Sequence, residues 1–510
     1  MVETKPTQNK PPYGMIAILF VGAFVAILNE TLLNVALPSI MVEFDVNATA
    51  VQWLSTGYML INGILIPASA FFIQRFKNKS LFITAMGLFT IGTILASISP
   101  TFGVLLAARM IQASGSAIMM PLLMNVMLTA FPIEKRGTAM GMFGLVMIVA
   151  PAIGPTLSGW LVEHYSWRML FNIVIPIAIL TLVLAFFKLK NVTPQRDIKL
   201  DVFSIVLSSF GFGGLLYGFS SAGNSGWSDP LVYGTIIIGI ISLIALIFRQ
   251  LRMDDPMLQF RIFKHPMFAL SSAISVVIAM AMFSGMILVP IYIQTIRGIS
   301  PMESGLLMLP GALIMGIMSP ITGRLFDKYG AKTLAIIGLT IMIITTYFFS
   351  RLDMQISYLS IMLLFSIRSF GMSMVMMPVM TNGLNQLPMK DNPHGTAMNN
   401  TLQQVSGAIG SALLITVMNS RTQTRAEELT ASAMASIDSS VTMSEQAMTQ
   451  MQNQIMNEAM LSGINLSFLV STLIIVIALV LAFFIKRVNT SSGIVKEGSK
   501  IDSEPVVSKS

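Results

Sequence analysis

Long apolar runs separated by short polar gaps dominate this chain. A helix needs roughly 20 apolar residues to cross a bilayer. On that criterion the chain holds fourteen spans: 14–37, 51–73, 80–99, 102–128, 137–162, 167–187, 201–222, 230–250, 268–295, 303–325, 331–350, 355–387, 394–419 and 463–485. The first follows a polar segment and is far too long for the apolar core of a signal peptide, so it is expected to remain as a span. Two segments break the short-gap pattern. Residues 420–462 are polar, rich in Ala, Met, Gln, Ser and Glu, and hold neither Pro nor Gly. That composition favours a helical hairpin outside the membrane over a floppy loop. Residues 486–510 form a charged, Ser-containing tail for which disorder is expected.

Composition agrees with the pattern. The 510 residues are 54% hydrophobic and only 11% charged, against about a quarter charged in a soluble domain. The net charge of +8 reflects topology rather than nucleic-acid binding. With the N-terminus inside, 24 of the 31 Lys and Arg residues fall on inside segments or their edges. Five fall outside (Arg168, Arg297, Arg351, Arg421, Arg425), and Arg109 and Arg368 lie deep within spans. A miscounted helix would invert every later loop, so the charges support fourteen spans with both termini inside.

One carboxylate stands out. Glu30 has apolar sequence running deep on both sides, and a carboxylate in lipid surroundings points to a proton, ion or substrate site. It lies 8 residues before Pro38, about 12 Å below the expected outer end of its helix, and Arg109 lies at similar depth in the fourth span. The expected pair is Glu30 as proton carrier and Arg109 as the charge that tunes it. A static pair locking two helices is the alternative. Asn34 shares the Glu30 face of the helix, with Ala23 and Ala26.

Other polar residues within spans are Tyr58, Asn62, Gln112, Asn125, Asn400, Gln403 and Gln404, which with Asn34 are candidates to line a substrate cavity. Each alone is more often a helix–helix hydrogen bond. The 41 Met residues fit an adaptable apolar pocket, although Met is also a routine filler of membrane helices. The sequence lacks Cys, and His164, His265 and His394 sit at loop edges, so no metal site, cofactor or intramembrane enzyme centre is expected. A phosphate-cradling Gly-x-x-x-x-Gly-Lys-Ser/Thr motif is also missing, which argues against direct use of ATP.

Repeats indicate two halves. Gly323-Arg324-Leu325-Phe326-Asp327-Lys328-Tyr329-Gly330-Ala331-Lys332 occupies an inside loop, and Ala70 to Lys79 aligns with it in an earlier one. Arg109 and Arg368 each sit in a span that starts outside. A two-halved transporter with its site between the halves is the expected architecture.

These motifs resemble the fourteen-span drug:H+ antiporter family of the major facilitator superfamily. The 323–332 segment is similar to the superfamily's inter-span loop, and Leu105 to Gly115 to its fourth-span arginine motif. Ala150 to Gly159 is similar to the fifth-span antiporter motif, and Trp167 to Asn172 with Pro176 to the start of the sixth span. Leu309-Pro310-Gly311 and Gly395 to Thr401 are similar to later-span signatures. The resemblance implies an all-α polytopic fold of two six-helix bundles with two extra linking helices. The expected divisions are an inside N-terminus (1–13), a first bundle (14–187), a linker with two spans (188–267), a second bundle including the hairpin (268–485), and an inside tail (486–510).

By resemblance, the chain exports lipophilic drugs, cationic ones included, in exchange for protons by alternating access. A monomer in the cytoplasmic membrane, without nucleic-acid partners, is expected. The alternatives are the same fold exporting a physiological lipid, peptide or signalling metabolite, or a receptor or scaffold without transport. Pro151, Gly154, Pro155 and Gly159 are expected to bend the fifth span and let it pack closely, sealing the path against leakage; an ordinary kink is the alternative. Gly323, Asp327 and Gly330 are expected to form an inside latch, while Arg368 has no evident partner. Two departures stand out. Asn29 occupies the family's usual Asp position with Glu30 one residue later, and Gln74 replaces the Asp of the first inter-span loop. A weaker latch is expected there.

Overall fold

The structure is a computed structural model that describes residues 13–46, 48–192, 195–197, 201–254, 256–436 and 445–486. The N-terminal segment before Tyr13 and the tail from residue 487 lie outside the described residues. A backbone in hydrocarbon must bond to itself, and the described residues form helices and connecting turns without a strand.

Among the described residues fourteen helices are long and apolar enough to cross a membrane, matching the fourteen runs one for one. The first six are α1 (Tyr13–Phe44), α2 (Ala48–Arg75), α3 (Asn78–Ser97), α4 (Phe102–Ala130), α5 (Arg136–His164) and α6 (Val174–Lys188). Two follow as α7 (Val202–Ser225) and α8 (Pro230–Arg252). The last six begin with α9 (Pro266–Phe283), extended by π-helical turns at Ser284–Leu288 and Tyr292–Ile296, then α10 (Pro301–Tyr329) and α11 (Ala331–Phe349). They end with α12 (Tyr358–Ser373, continued as Met376–Leu384), α13 (Asn392–Ser436) and α14 (Glu445–Ala482).

Within the first six, α3 packs on α4, α2 on α4, and α1 on α4, α5 and α6; within the last six, α10 packs on α12, α11 on α14, and α9 on α13. The two bundles meet along two seams. At one, α5 lies directly against α10; at the other α2 meets α13, and α7 lies against both of them. The linking helices therefore cover one seam and leave the other to direct contact. The end of the assembly where the loops carry Arg75, Lys79, Lys135, Arg136, Lys328 and Lys332 is here called the basic face.

Two boundaries differ from the sequence expectation. Helix α1 does not end at Pro38 but runs on to Phe44, which puts Glu30 about 21 Å along the axis from the helix end. The polar 420–462 stretch is built from helical extensions of α13 and α14, tied by Arg425 Nη2 donating to Glu458 Oε1 at 3.4 Å. Residues 437–444, between them, lie outside the described residues. At the other end of the molecule, Gly330 closes α10 at φ +80°, a left-handed conformation that side-chain-bearing residues rarely adopt.

A polar clamp fixes the linking helices at the basic face. Asp201 caps α7 by accepting the Ser204 backbone N–H at 3.3 Å, and Arg249 of α8 donates to its two oxygens at 2.9 and 3.0 Å. Buried Gln250 donates to Ser204 Oγ at 2.6 Å and accepts the Leu258 backbone N–H at 2.9 Å. The Arg249 hydrogen bonds, with those of Ser204 added, outweigh burial and hold the Asp201 carboxyl below the usual carboxylate range. Such a group stabilises the fold above its unfolded-state value, and that contribution is lost as pH falls through the depressed one. Asp201→Asn is accordingly expected to lower the thermal unfolding temperature by a few degrees at pH 7, with the gap to wild type closing from about pH 4 downward. Fluorescence-detected unfolding in detergent across that pH range measures it.

Candidate functional site

Arg109 is 1% exposed, in the middle of the first bundle. An ionised group there must find partners within the protein. Its Nη1 donates to Asn29 Oδ1 of α1 at 2.8 Å and to Gln112 Oε1, one turn along α4, at 2.5 Å. Gln112 in turn donates to Thr93 Oγ1 of α3 at 2.8 Å. The guanidinium carbon sits 4.2 Å from the ring centroid of buried Tyr58 of α2, a cation–π contact. One guanidinium thus joins four helices.

Arg109 gives its α1 hydrogen bond to Asn29, the residue beside Glu30. One residue is about 100° around a helix, so with position 29 aimed at α4, position 30 turns away. Asn29 is 1% exposed, whereas Glu30 is half-buried and within reach of the Arg109 charge only through space. The Asn34 side chain lies outside what is described.

The Glu30 turn of α1 is also where α5 bears on it. A Cβ at Gly154 would collide with Thr31 Oγ1, and Ser158 Oγ donates to the Leu32 carbonyl at 2.5 Å. Gly154 is therefore required for this approach. Gly159 is not, because a Cβ there would meet nothing, which corrects the close packing expected of it. Helix α5 continues through positions 151 and 155 without interruption. The Pro155 side chain is outside what is described.

At the basic face, Asp327 at the end of α10 places its carboxylate on the first turn of α5. Oδ1 accepts the Gly137 backbone N–H at 2.9 Å, and Oδ2 accepts the Thr138 backbone N–H at 3.0 Å and its hydroxyl at 2.8 Å. An anion there also meets the positive end of the helix dipole. A Cβ at Gly323 would strike the Gly137 backbone, so the carboxylate reaches its donors only because both positions lack side chains. The equivalent end of α2 presents Gln74, whose amide bonds the Ala70 carbonyl at 3.0 Å and contacts the buried His394 ring at 3.1 Å. His394 lies in the first turn of α13, and its Nδ1 accepts the Gln259 backbone N–H at 3.3 Å. The sequence placed His394 at a loop edge; its location between α2, α13 and the segment after α8 needed tertiary contacts. Arg136 donating to Asn385 at 3.3 Å and Ser319 to the Gly141 carbonyl at 2.8 Å add to the closure. The bundles are closed on the basic face.

Arg368 finds neither a carboxylate nor an open cavity. Its Nη2 donates to the Ala281 carbonyl at 2.8 Å and to Ser284 Oγ at 3.2 Å, and Nε donates to Thr346 Oγ1 at 3.3 Å. Ser284 begins the π-helical turn of α9 and accepts from Ser471 of α14 at 2.9 Å.

The remaining candidates do not converge on one cavity. Asn62 accepts from Ser116 at 3.0 Å, and Gln112 is consumed by Arg109 and Thr93, so both are helix-to-helix bonds. Gln403 makes a long contact to Met380 Sδ at 3.8 Å. Gln404 lies instead on the covered seam, where it lines a cavity of about 60 Å³ with Leu60, Leu216 and Tyr217. Asn125 and Asn400 keep buried amide nitrogens without hydrogen-bond partners among the described residues.

Two six-helix bundles joined by two extra helices, each bundle enclosing a buried arginine, define a membrane transporter. The chain belongs to the Major Facilitator Superfamily, which its sequence matches over residues 19–411. It is 53% identical over 422 residues to the uncharacterized MFS-type transporter YhcA of Bacillus subtilis, covering 83% of this chain and 79% of that protein. It is 43% identical over 412 residues to the lincomycin resistance protein LmrB of Listeria monocytogenes, covering 81% and 88%. Among solved structures, the human organic anion transporter MFSD10 superposes with a TM-score of 0.62 at 12% identity, covering 92% of this chain and all of that one, and shows the shared fold.

The Asp327 contact is testable as a latch. Hydrogen bonds to a charged group contribute roughly 1.5–3 kcal/mol, so Asp327→Asn is expected to shift the equilibrium away from basic-face closure by about tenfold or more. The natural chain has 0 Cys, so spin labels at Glu134→Cys and Lys390→Cys read the separation without background. An unchanged distance distribution would refute the latch.

Proposed function

We propose that the chain exports lipophilic antimicrobial compounds, cationic ones among them, by exchange for protons, with the basic face on the cytoplasmic side of the cytoplasmic membrane and both termini inside. The transporter acts as a monomer by alternating access between its two bundles. The observation that carries this reading is the position of Glu30. It is a half-buried carboxylate one residue from the Asn29–Arg109 bond and one residue from the Thr31 contact with Gly154 of α5.

That position lets one helix sense two things. Protonation of Glu30 removes a charge that Arg109 feels through space, while Asn29 keeps the guanidinium hydrogen-bonded in either state. Movement of α5 at the seam with α10 is transmitted to α1 through Gly154 and Ser158, and displaces the carboxyl relative to Arg109. Proton affinity and bundle orientation are then coupled through α1. Substitution of the family's Asp by Asn29 separates the two duties, with the neutral amide holding Arg109 and the adjacent carboxyl free to exchange its proton. The cargo class follows from the resistance function in the names of relatives such as LmrB and from the apolar, Met-rich bundles.

Glu30→Gln is expected to abolish pH-gradient-driven export, by at least tenfold, while leaving the protein folded and monodisperse. The assay follows a panel of lipophilic cations and lincomycin in everted vesicles, with and without an imposed pH gradient. Undiminished gradient-driven export by Glu30→Gln would sink the carrier role. Asn29→Ala is expected to keep proton dependence but weaken turnover, because the Arg109 guanidinium loses its α1 acceptor.

A further inference from the structure

Three of the five arginines on the side opposite the basic face converge on one groove. It has a volume of about 780 Å³ and lies at the base of the α13–α14 hairpin, bounded by Arg351 just after α11 and by Arg421 and Arg425 of α13. The other two are committed elsewhere: Arg168 to an ion pair with Glu43 and Arg297 to the Ile356 carbonyl at 2.5 Å.

The charges around the groove do not cancel. Arg421 lies 3.9 Å from Glu428, and Arg425 bonds Glu428 at 3.0 Å and Glu458 at 3.4 Å. Arg351 is exposed, donates to Tyr347 Oη at 3.2 Å, and has no carboxylate within ion-pair distance among the described residues. Three guanidinium groups against two carboxylates leave an excess positive charge where the positive-inside pattern disfavours it. The wall of the groove adds a second polar feature. Asn465 spends its amide nitrogen on the Leu352 carbonyl at 2.9 Å, and its buried Oδ1 has no donor among the described residues.

Below the arginines the groove is apolar. Leu466 and Leu469 line it, and Leu473 continues the same face of α14 outward; they are 36%, 38% and 60% exposed. A cationic rim above an exposed leucine track at a helix entering the membrane is complementary to one molecule type, an anionic phospholipid. Arginine pairs with phosphate in a planar, two-bond geometry, basic pockets at membrane level recognise anionic headgroups, and the leucines match acyl chains.

We infer that this groove binds an anionic phospholipid of the adjacent leaflet, its phosphate held by Arg351 and Arg421 and a headgroup hydroxyl donating to Asn465 Oδ1. Phosphatidylglycerol carries both features, a single negative phosphate and free hydroxyls. The bound lipid would bridge the end of α11 to the base of the hairpin, adding to the Asn465–Leu352 bond and the Phe349–Phe468 stack that already join them. The inference is independent of substrate and proton coupling, so its failure would leave the transport reading intact.

Native mass spectrometry of the full-length protein, purified in detergent and incubated with phosphatidylglycerol or phosphatidylcholine of identical acyl chains, tests it. Wild type is expected to retain phosphatidylglycerol in preference to phosphatidylcholine, and Arg351→Gln with Arg421→Gln to lose about tenfold of that retention. Asn465→Leu is expected to reduce the preference for phosphatidylglycerol over phosphatidic acid, which lacks the hydroxyls. Retention by the double variant equal to wild type would overturn the site. Displacement of the lipid by an equimolar amount of inorganic phosphate would overturn it as well, by showing an anion site indifferent to lipid. Should the double variant not elute as a folded protein, Arg351→Gln alone, at an exposed position, supplies the same comparison.

Discussion

Hydrocarbon cannot solvate a charge, and the first bundle is arranged around that constraint at Arg109. With water excluded, the guanidinium draws acceptors and a ring face from α1, α2 and α4, and through Gln112 also engages α3. Deleting Asn29 or Gln112 would remove an acceptor from a buried donor, which is costlier than never having made the bond. Arg368 answers the same demand differently. It draws on a backbone carbonyl and two hydroxyls at the π-helical turn of α9, and Ser471 extends the network to α14. The first arginine is therefore held by side chains of three helices and the second by one backbone carbonyl and two hydroxyls. Only the first has a carboxylate beside its hydrogen-bonded partner, Glu30 next to Asn29.

The basic face shows a second asymmetry. On the direct seam an ionised carboxylate, Asp327, receives two backbone N–H groups and a hydroxyl at a helix N-terminus. On the other seam the neutral Gln74 amide meets the His394 ring, and the linker adds Gln259 to the contact. Neutral hydrogen bonds are weaker than charge-assisted ones, and at this second seam α7 lies against both α2 and α13. The added helices supply apolar contact where the polar latch is weak. The Asp201–Arg249–Gln250 clamp keeps those helices in place.

Several details escaped the sequence for physical reasons. The first span is bounded at 14–37 by its apolar run, yet the helix continues to Phe44. Depth counted from Pro38 still put position 30 near Arg109, but a depth count carries no angle, and the rotation of α1 brings Asn29 to the guanidinium. Gly159 reads like Gly154 as a small residue in a motif, but only one of them faces α1. Gln404 and Gln112 are both polar residues in apolar runs; one ends on the covered seam, the other inside the arginine network. His394 gave no local signal, since its partners are Gln74 and Gln259, more than a hundred residues away.

By itself the sequence determined the number of spans, the uneven placement of Lys and Arg between their loops and the presence of three costly charged residues within them. Those properties follow from run length and from where Lys and Arg are placed, both of which a bilayer reads locally. Tertiary structure alone decided which charge met which partner. A helix presents a new face with each residue, and whether Asn29 or Glu30 addresses Arg109 depends on how α1, α4 and α5 pack. The carboxylate that stood out in the linear pattern thus proves to be the neighbour of the buried polar contact rather than a member of it.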